Sequence, residues 1–426
     1  MSHGYITHHD GYSLEAAFYA GRRRSRRRGQ AVQEPYRATS FSELRFDKII
    51  APENLLSIWK QLKRSGGKGP GVDGKTYDDY SIAEAAQLLR ETSEAIRLQR
   101  YRPQPTRLVR IPKGDGRGWR ELRLPTVIDR TVAKAVELAI SQPCDALLGE
   151  HVYGFRPRRG VMDMLVATEY DMRRTGAWTI VQDDIRDAFP SAGLDQVMEA
   201  FRAHLGHGTL TGLIERALRG PNGQHTQGLD QGNPLAPLAL NLLLHEALDR
   251  QNADQHNPPL RYADNLVATG RGVTEGRSNI QQLEEQLQPI GMALKHQDQP
   301  ADLNQPNSRA TVLGYEVKRG PGGMELHVPE GAWRDLCLGL EETHERDNPI
   351  EAAHNMVRGW ANHYGAAFES EDARVSALRR ITRIAAEADL PRTTSQRDRL
   401  MHALEGSRNQ WDRKRQRCFS HRGDVS

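Results

Sequence analysis

The 426-residue sequence predicts an α+β core followed by an all-α carboxyl-terminal part. Three observations carry this reading. Short β-type runs alternate with segments of helical period, two of those runs are joined by tight-turn residues, and after Gly331 only helical spacing remains.

Residues 1–50 lack apolar periodicity and form a flexible leader, in which GRRRSRRRG places six arginines between Arg22 and Arg28. Like charges in a block repel and stay solvated, which predicts a disordered basic arm; the same charges attract phosphate with release of counterions. From Pro52 a helix is expected, because Leu55, Ile58, Trp59 and Leu62 share one face. SGGKGPGVDG (Ser65–Gly74) ends it as a loop. A second helix fits Ser81–Arg100, with Ile82, Ala85, Ala86, Leu89 and Ile96 inward. Thr106–Pro112 and Arg120–Leu124 are strands joined by a glycine-rich turn at Gly114–Gly118, and Asp129–Ile140 is helical. Thr179–Asp184 is a short strand, with a helix after the turn at Pro190–Ser191. Pro234–Arg250 begins on prolines and continues as a buried helix through Leu238, Leu242 and Ala247. Leu260–Thr269 reads as strand, two-residue turn, strand, with Asp264 and Asn265 as the turn because both tolerate tight-hairpin angles. Ile350, Ala353, Val357, Trp360 and Tyr364, spaced three and four apart, mark a helical domain.

Composition limits the function. Hydrophobic residues make up 37% and aromatics 6%, with no apolar run of eighteen, so no membrane span and no membrane partner are expected. MSHGYITHHDGY has no apolar core of a secretory signal. Cys144, Cys337 and Cys418 lie far apart and offer neither a disulfide framework nor a CxxC zinc site, which fits a reducing cytoplasm. The net charge of +4 is unevenly spread: the tail from Glu371 to Ser426 carries thirteen Arg or Lys against eight acidic residues.

Two segments hold carboxylates suited to metal chemistry, VQDDIRDAFPS (Val181–Ser191) and RYADN (Arg261–Asn265). Hard cations such as magnesium take carboxylate oxygens, and nucleotidyl transfer uses two of them about 4 Å apart. On a strand, neighbours point to opposite faces, so Asp183 and Asp184 cannot both face one site. Alone, either pair is weak, because acidic surface pairs are common.

In order along the chain, these segments resemble the motifs of the reverse transcriptase family, in the form encoded by bacterial group II introns. VQDDIRDAFPSA resembles the first catalytic motif, GLDQGNPLAPLALN (Gly228–Asn241) the second, RYADN the Tyr-Ala-Asp-Asp hairpin, and LGYEV (Leu313–Val317) the primer-grip strand. GPGVDG (Gly69–Gly74), YRPQPTRLVRIPKGDGRGWRELRLPTVIDR (Tyr101–Arg130) and VYGFRPRRG (Val152–Gly160) are similar to the fingers segments, and VRGWANHY (Val357–Tyr364) to the thumb or maturase helix. The resemblance implies a right-hand polymerase fold. Fingers and palm with an antiparallel palm sheet occupy 51–318, a helical thumb 319–368 and a basic helical tail 369–426.

It also implies roles. Asp184, the Ile185 carbonyl and Asp264 hold Mg2+ or Mn2+, with Asn265 beside them; Lys113 and Arg120 hold the triphosphate of an incoming dNTP. Asp187 and Ala188 present backbone N–H groups to the phosphates, Phe189 is the aromatic gate against a ribose 2′-hydroxyl, and Gln231 packs near the nascent base pair. Tyr153, Phe155 and Arg156 contact the template strand and Gly314 the primer. Trp360 and Tyr364 are expected in the thumb core. The implied partners are an RNA template and a DNA or RNA primer.

Three positions depart from the family pattern: Asn265 for the second aspartate, Asp230 for proline and Ala236 for serine. GMALKHQDQ (Gly291–Gln299) begins like the fourth motif but lacks its Glu-Lys-Thr. Nothing after Phe368 resembles the Cys/His endonuclease of mobile intron proteins, so the chain also resembles domesticated reverse transcriptases of antiviral defence, which copy a dedicated structured non-coding RNA. The alternative class is a catalytically weakened RNA-binding maturase or scaffold, to which Asn265 and the basic ends point.

Overall fold

The computed structural model describes residues 34–67, 69–112, 119–296, 299–390 and 397–422. The arginine run Arg22–Arg28, the turn Gly114–Gly118 and Lys113 lie outside the described residues.

In chain order the main elements are α1 (Pro52–Ser65), α2 (Ile82–Arg97), β1 (Arg107–Pro112), β2 (Trp119–Leu124), α3 (Val127–Leu147), α4 (Val161–Thr175) and β3 (Thr179–Asp184). Then come α5 (Leu194–Leu205), α6 (Thr209–Arg219), α7 (Ala236–Leu244), β4 (Leu260–Tyr262), β5 (Asn265–Gly270) and α8 (Val273–Leu287). The chain continues through β6 (Ala301–Asp302), β7 (Ala310–Val312), β8 (Tyr315–Gly320) and β9 (Gly323–His327) to α9 (Glu330–Glu342), α10 (Pro349–Tyr364), α11 (Glu371–Glu387) and α12 (Arg397–Arg422). This is the α+β class that the sequence predicts, with antiparallel sheets.

The chain forms two compact units, each assembled from three stretches of sequence. The first comprises residues 1–158, 185–254 and 283–294; the second comprises 159–184, 255–282 and 295–426.

In the first unit, α1 packs on α2 and α3 through the buried face of Leu55, Ile58 and Trp59. A capping box at Ser81 and Glu84 starts α2, but Ile82, the first residue of the helix, is 59% exposed rather than inward. β1 and β2 pair antiparallel from Arg107–Leu124 to Pro112–Trp119. Every residue from Leu238 to Leu244 is buried, the pattern of a helix apolar all round, and the backbone then widens into a π-turn over His245–Asp249.

In the second unit the sheet order is β4-β5-β3-β6, and β7-β8-β9 form a separate three-stranded sheet. Helices α9 to α12 share one core, from Trp333 and Val357 through Ile381 to Leu400 and Leu404. The expected boundary near 368 therefore does not separate a thumb from a tail. On α12, Leu400, Leu404, Ser407 and Trp411 follow at spacings of four, three and four and are all buried, so this basic helix has an inward face. The backbone at Gly365 comes so near α12 that a Cβ there would stand 2.6 Å from the Leu404 carbonyl oxygen. Beyond that stripe, the Arg415 guanidinium binds both oxygens of the fully buried Glu169 at 2.7 and 2.6 Å, with Arg173 at 3.0 Å and the Met324 N–H at 3.1 Å as further donors. Lys414 pairs with Asp163, and Phe419 packs edge-on against Tyr170.

Candidate active site

The second unit carries the carboxylates. Asp184 ends β3, and its register partner across the ladder is Asn265, the first residue of β5. Tyr262 also pairs with Asn265, so the two-residue turn is Ala263–Asp264 and not Asp264–Asn265. The reason lies in the backbone: Ala263 adopts φ +56, a left-handed conformation costly for alanine, and the buried Arg261 guanidinium braces the turn by donating to the Ala263 carbonyl at 3.0 Å. Asp264 thus sits at the tip and Asn265 directly opposite Asp184, on the same face of the sheet.

Asp183 faces the other way, as strand alternation requires. It is buried, and its oxygens accept from the Asp184 N–H at 2.8 Å and the His296 N–H at 3.0 Å. Asp184 differs. Its Oδ2 accepts from Lys295 Nζ at 2.9 Å, while Oδ1 is buried with no hydrogen-bond partner among the described residues. An unsatisfied buried carboxylate oxygen is costly, and it suits a hard cation. The Asp184 carboxylate therefore suits a divalent cation, and Asp264 lies at the tip of the hairpin whose second strand pairs with β3. Among the described residues no three His, Cys, Asp or Glu side chains group as a metal cluster.

Two neighbours of this site were not legible as such. Gln182, two residues before Asp184 and hence on its face, accepts the Leu313 N–H at 2.8 Å. That bond holds the turn Leu313–Gly314, where both residues have positive φ (+48 and +84), the signature of a type I′ hairpin between β7 and β8. Lys295 is the other.

The first unit carries the remaining expected residues. Asp187 is exposed with φ 44 and ψ 46, a strained left-handed conformation that opens the short helix Ala188–Ser191. Ala188 is buried; Phe189 is half-buried, with its ring edge-on to Phe155 at 6.0 Å between centroids. The Phe189 carbonyl accepts from the Leu229 N–H at 2.8 Å, which joins the first motif to the second. The Gln231 carbonyl accepts the Arg123 N–H at 2.8 Å, and a Cβ on Gly232 would lie 2.7 Å from the Arg123 carbonyl oxygen, so β2 and the second motif are in close backbone contact. Asp230, where proline is usual, ties the same elements: its carboxylate takes Thr106 Oγ1 at 3.3 Å and lies 3.7 Å from Arg123 Nε. Burial pushes the Asp230 carboxyl above its ordinary range, against the pull of His225 and Arg123. Arg120, on β2 opposite Ile111, is half-buried.

The template expectation narrows to one residue. Arg156 is buried, donating to Asp145 Oδ1 at 2.7 Å and to the Val152 and Asp145 carbonyls at 2.9 Å, and Tyr153 is buried too. These side chains are engaged inside the unit, a correction that leaves Phe155, half-exposed at φ +57, as the ring open to solvent. The buried Asn241 holds this loop through the Gly154 carbonyl at 2.9 Å. Trp360 is core, packed at a 46° tilt against Trp333 with 4.3 Å between ring centroids and donating to the Ala332 carbonyl.

The chain is similar to several known proteins. Residues 111–298 match the family described as reverse transcriptase (RNA-dependent DNA polymerase). Protein YkfC of Escherichia coli (strain K12) is 28% identical over 211 residues, 46% of this chain and 54% of that protein. Group II intron-encoded protein LtrA of Lactococcus lactis subsp. cremoris is 24% identical over 234 residues, 51% of this chain and 37% of that protein. The chain thus spans about half the length of these relatives, or less. Apo telomerase from Candida Tropicalis aligns with a TM-score of 0.41 at 10% identity, over 75% of this chain and 69% of that chain.

Proposed function

We propose that this chain, a member of the reverse transcriptase family through residues 111–298 and similar to group II intron-encoded proteins within it, is an RNA-directed DNA polymerase. The observation that carries the reading is the Asp184 carboxylate, with one buried oxygen lacking a partner among the described residues, at the end of the strand that pairs with the Asp264 hairpin. A pair of magnesium or manganese ions, when bound, activates the primer 3′-hydroxyl and stabilises the pyrophosphate. Asp184 and Asp264 hold the ions, with the Ile185 carbonyl, while Lys113 and Arg120 bind the triphosphate as cations. Asp187 and Ala188 offer backbone N–H groups to it, and Gln231 lies at the nascent pair. Phe189 selects the deoxy sugar, Phe155 stacks on the template, and the Leu313–Gly314 turn steadies the primer. An RNA template and a DNA or RNA primer are the partners in this proposal, which extends to a structured non-coding RNA as template in antiviral defence.

The test is dNTP incorporation on a primed RNA template. Asp184→Asn and Asp264→Asn are each expected to lower it at least about a thousandfold, since a metal's charge stabilisation is worth several kcal/mol. Undiminished activity in either variant would overturn the assignment.

Asn265 favours a second reading, an RNA-binding protein with weakened catalysis, because it removes a carboxylate directly opposite Asp184. The two part on Asn265→Asp. The polymerase reading expects incorporation by the natural chain and a lower magnesium requirement in the variant. Incorporation by the variant alone, with tight RNA binding by both, supports the second reading.

A further inference from the structure

We propose that the Lys295 ammonium is a resident counter-charge of the catalytic carboxylates, so that a divalent cation binds Asp184 only by displacing it. The inference deepens the polymerase reading above and rests on it. Lys295 holds Asp184 twice: its Nζ meets Oδ2 at 2.9 Å and its backbone N–H meets the Asp184 carbonyl at 2.9 Å. The next residue fixes the segment further, through the His296 N–H to Asp183 Oδ2 at 3.0 Å. The main chain is thereby anchored beside β3. The ammonium, on a flexible four-carbon stem and with its side chain 33% exposed, can leave without moving that anchor.

The charge around Asp184 is low on both sides. Asn265, its partner across the ladder, is neutral, and Lys295 is cationic. A carboxylate paired with an ammonium attracts a divalent ion far less than a carboxylate alone, because the interaction scales with the product of charges. At the same time Asp184 Oδ1 remains buried and without a partner among the described residues, so the lysine satisfies only half of the carboxylate. Such a site is weak for free metal and becomes strong once a triphosphate brings further negative charge. Metal loading is therefore coupled to nucleotide arrival.

The experiment measures Mn2+ affinity of the full chain without nucleotide, by electron paramagnetic resonance of the free ion. Lys295→Met keeps the stem and removes the charge, and Lys295→Gln serves as a second neutral variant. Both are expected to bind Mn2+ about tenfold more tightly, equivalent to about 1.4 kcal/mol. Lys295→Arg, which keeps the charge, is expected to stay within about twofold of the natural chain. Circular dichroism verifies that each variant is folded. Unchanged or weaker Mn2+ binding in the folded neutral variants overturns the proposal. Asp184→Asn added to Lys295→Met is expected to abolish the gain; if the tight binding survives it, the metal is not at Asp184 and the polymerase-site reading itself fails.

Discussion

At the scale of single residues, two positions beside proposed site residues hold a constrained backbone. Asp187 and Ala263, both left-handed without being glycine, flank Phe189 and Asp264 in sequence. Phe189 is neither fully buried nor free: its ring rests edge-on against Phe155. A ring held so is a rigid wall, and Phe189→Val shortens that wall while keeping an apolar residue. Single-nucleotide kinetics should show the preference for deoxy- over ribonucleotides falling by about tenfold to a hundredfold, the range of discrimination set by a few missing carbons. An unchanged ratio in the folded variant would make Phe189 a packing residue. Asp184 and Asp264 were legible in the sequence because each lies in a short motif of acidic and aromatic residues. Lys295 and Gln182 were not, because their partners lie 111 and 131 residues away and only the folded sheet brings them together. Arg156 was misread for a related reason: a basic residue in a basic loop gives no local sign that Asp145 and three carbonyls will claim it.

At the scale of elements, periodicity identified α1, β1, β3 and the β4–β5 pair nearly to the residue, since each has an apolar face of regular spacing and a clear turn at its end. It shortened α3, which runs through Pro143 to Leu147, and gave no sign of α4, whose buried face includes Glu169 and Asp171 and so does not read as apolar. α10 carries a titrating group. His363 packs against Tyr315 and Tyr364, and although the residue is only half-buried, its Nε2 is closed off from solvent. Burial lowers its pKa from an ordinary 6.5 to about 4. The neutral ring is favoured in the folded chain, so its contribution is complete above about pH 6.5 and is lost as pH falls towards 4. Thermal unfolding of the natural chain should fall on acidification from pH 7 to 5 by an amount on the order of 1–2 kcal/mol, and His363→Phe should flatten that slope. Equal slopes for both would place the acid sensitivity elsewhere.

At the scale of the whole molecule, a linear reading assigns contiguous domains, whereas this chain enters the second unit three times and leaves it twice. The sequence reading made the carboxyl-terminal segment a basic helical tail; the structure uses Lys414 and Arg415 on it to neutralise Asp163 and Glu169. Removing one member of a buried ion pair strands the other, so Arg415→Met should lower unfolding stability by about 3–5 kcal/mol in urea titration, and Glu169→Gln with Arg415→Met should recover part of it. A loss below about 0.5 kcal/mol would mean that Arg173 suffices. The same ion pair has a consequence for the time course of synthesis. Glu169 and Arg415 are 246 residues apart. At ribosomal rates of about 5–20 residues per second, Glu169 waits about 12–50 s for its partner. Through that interval Arg173, four residues on in the same helix, is available to Glu169, and the pair with Arg415 forms only once α12 has been made.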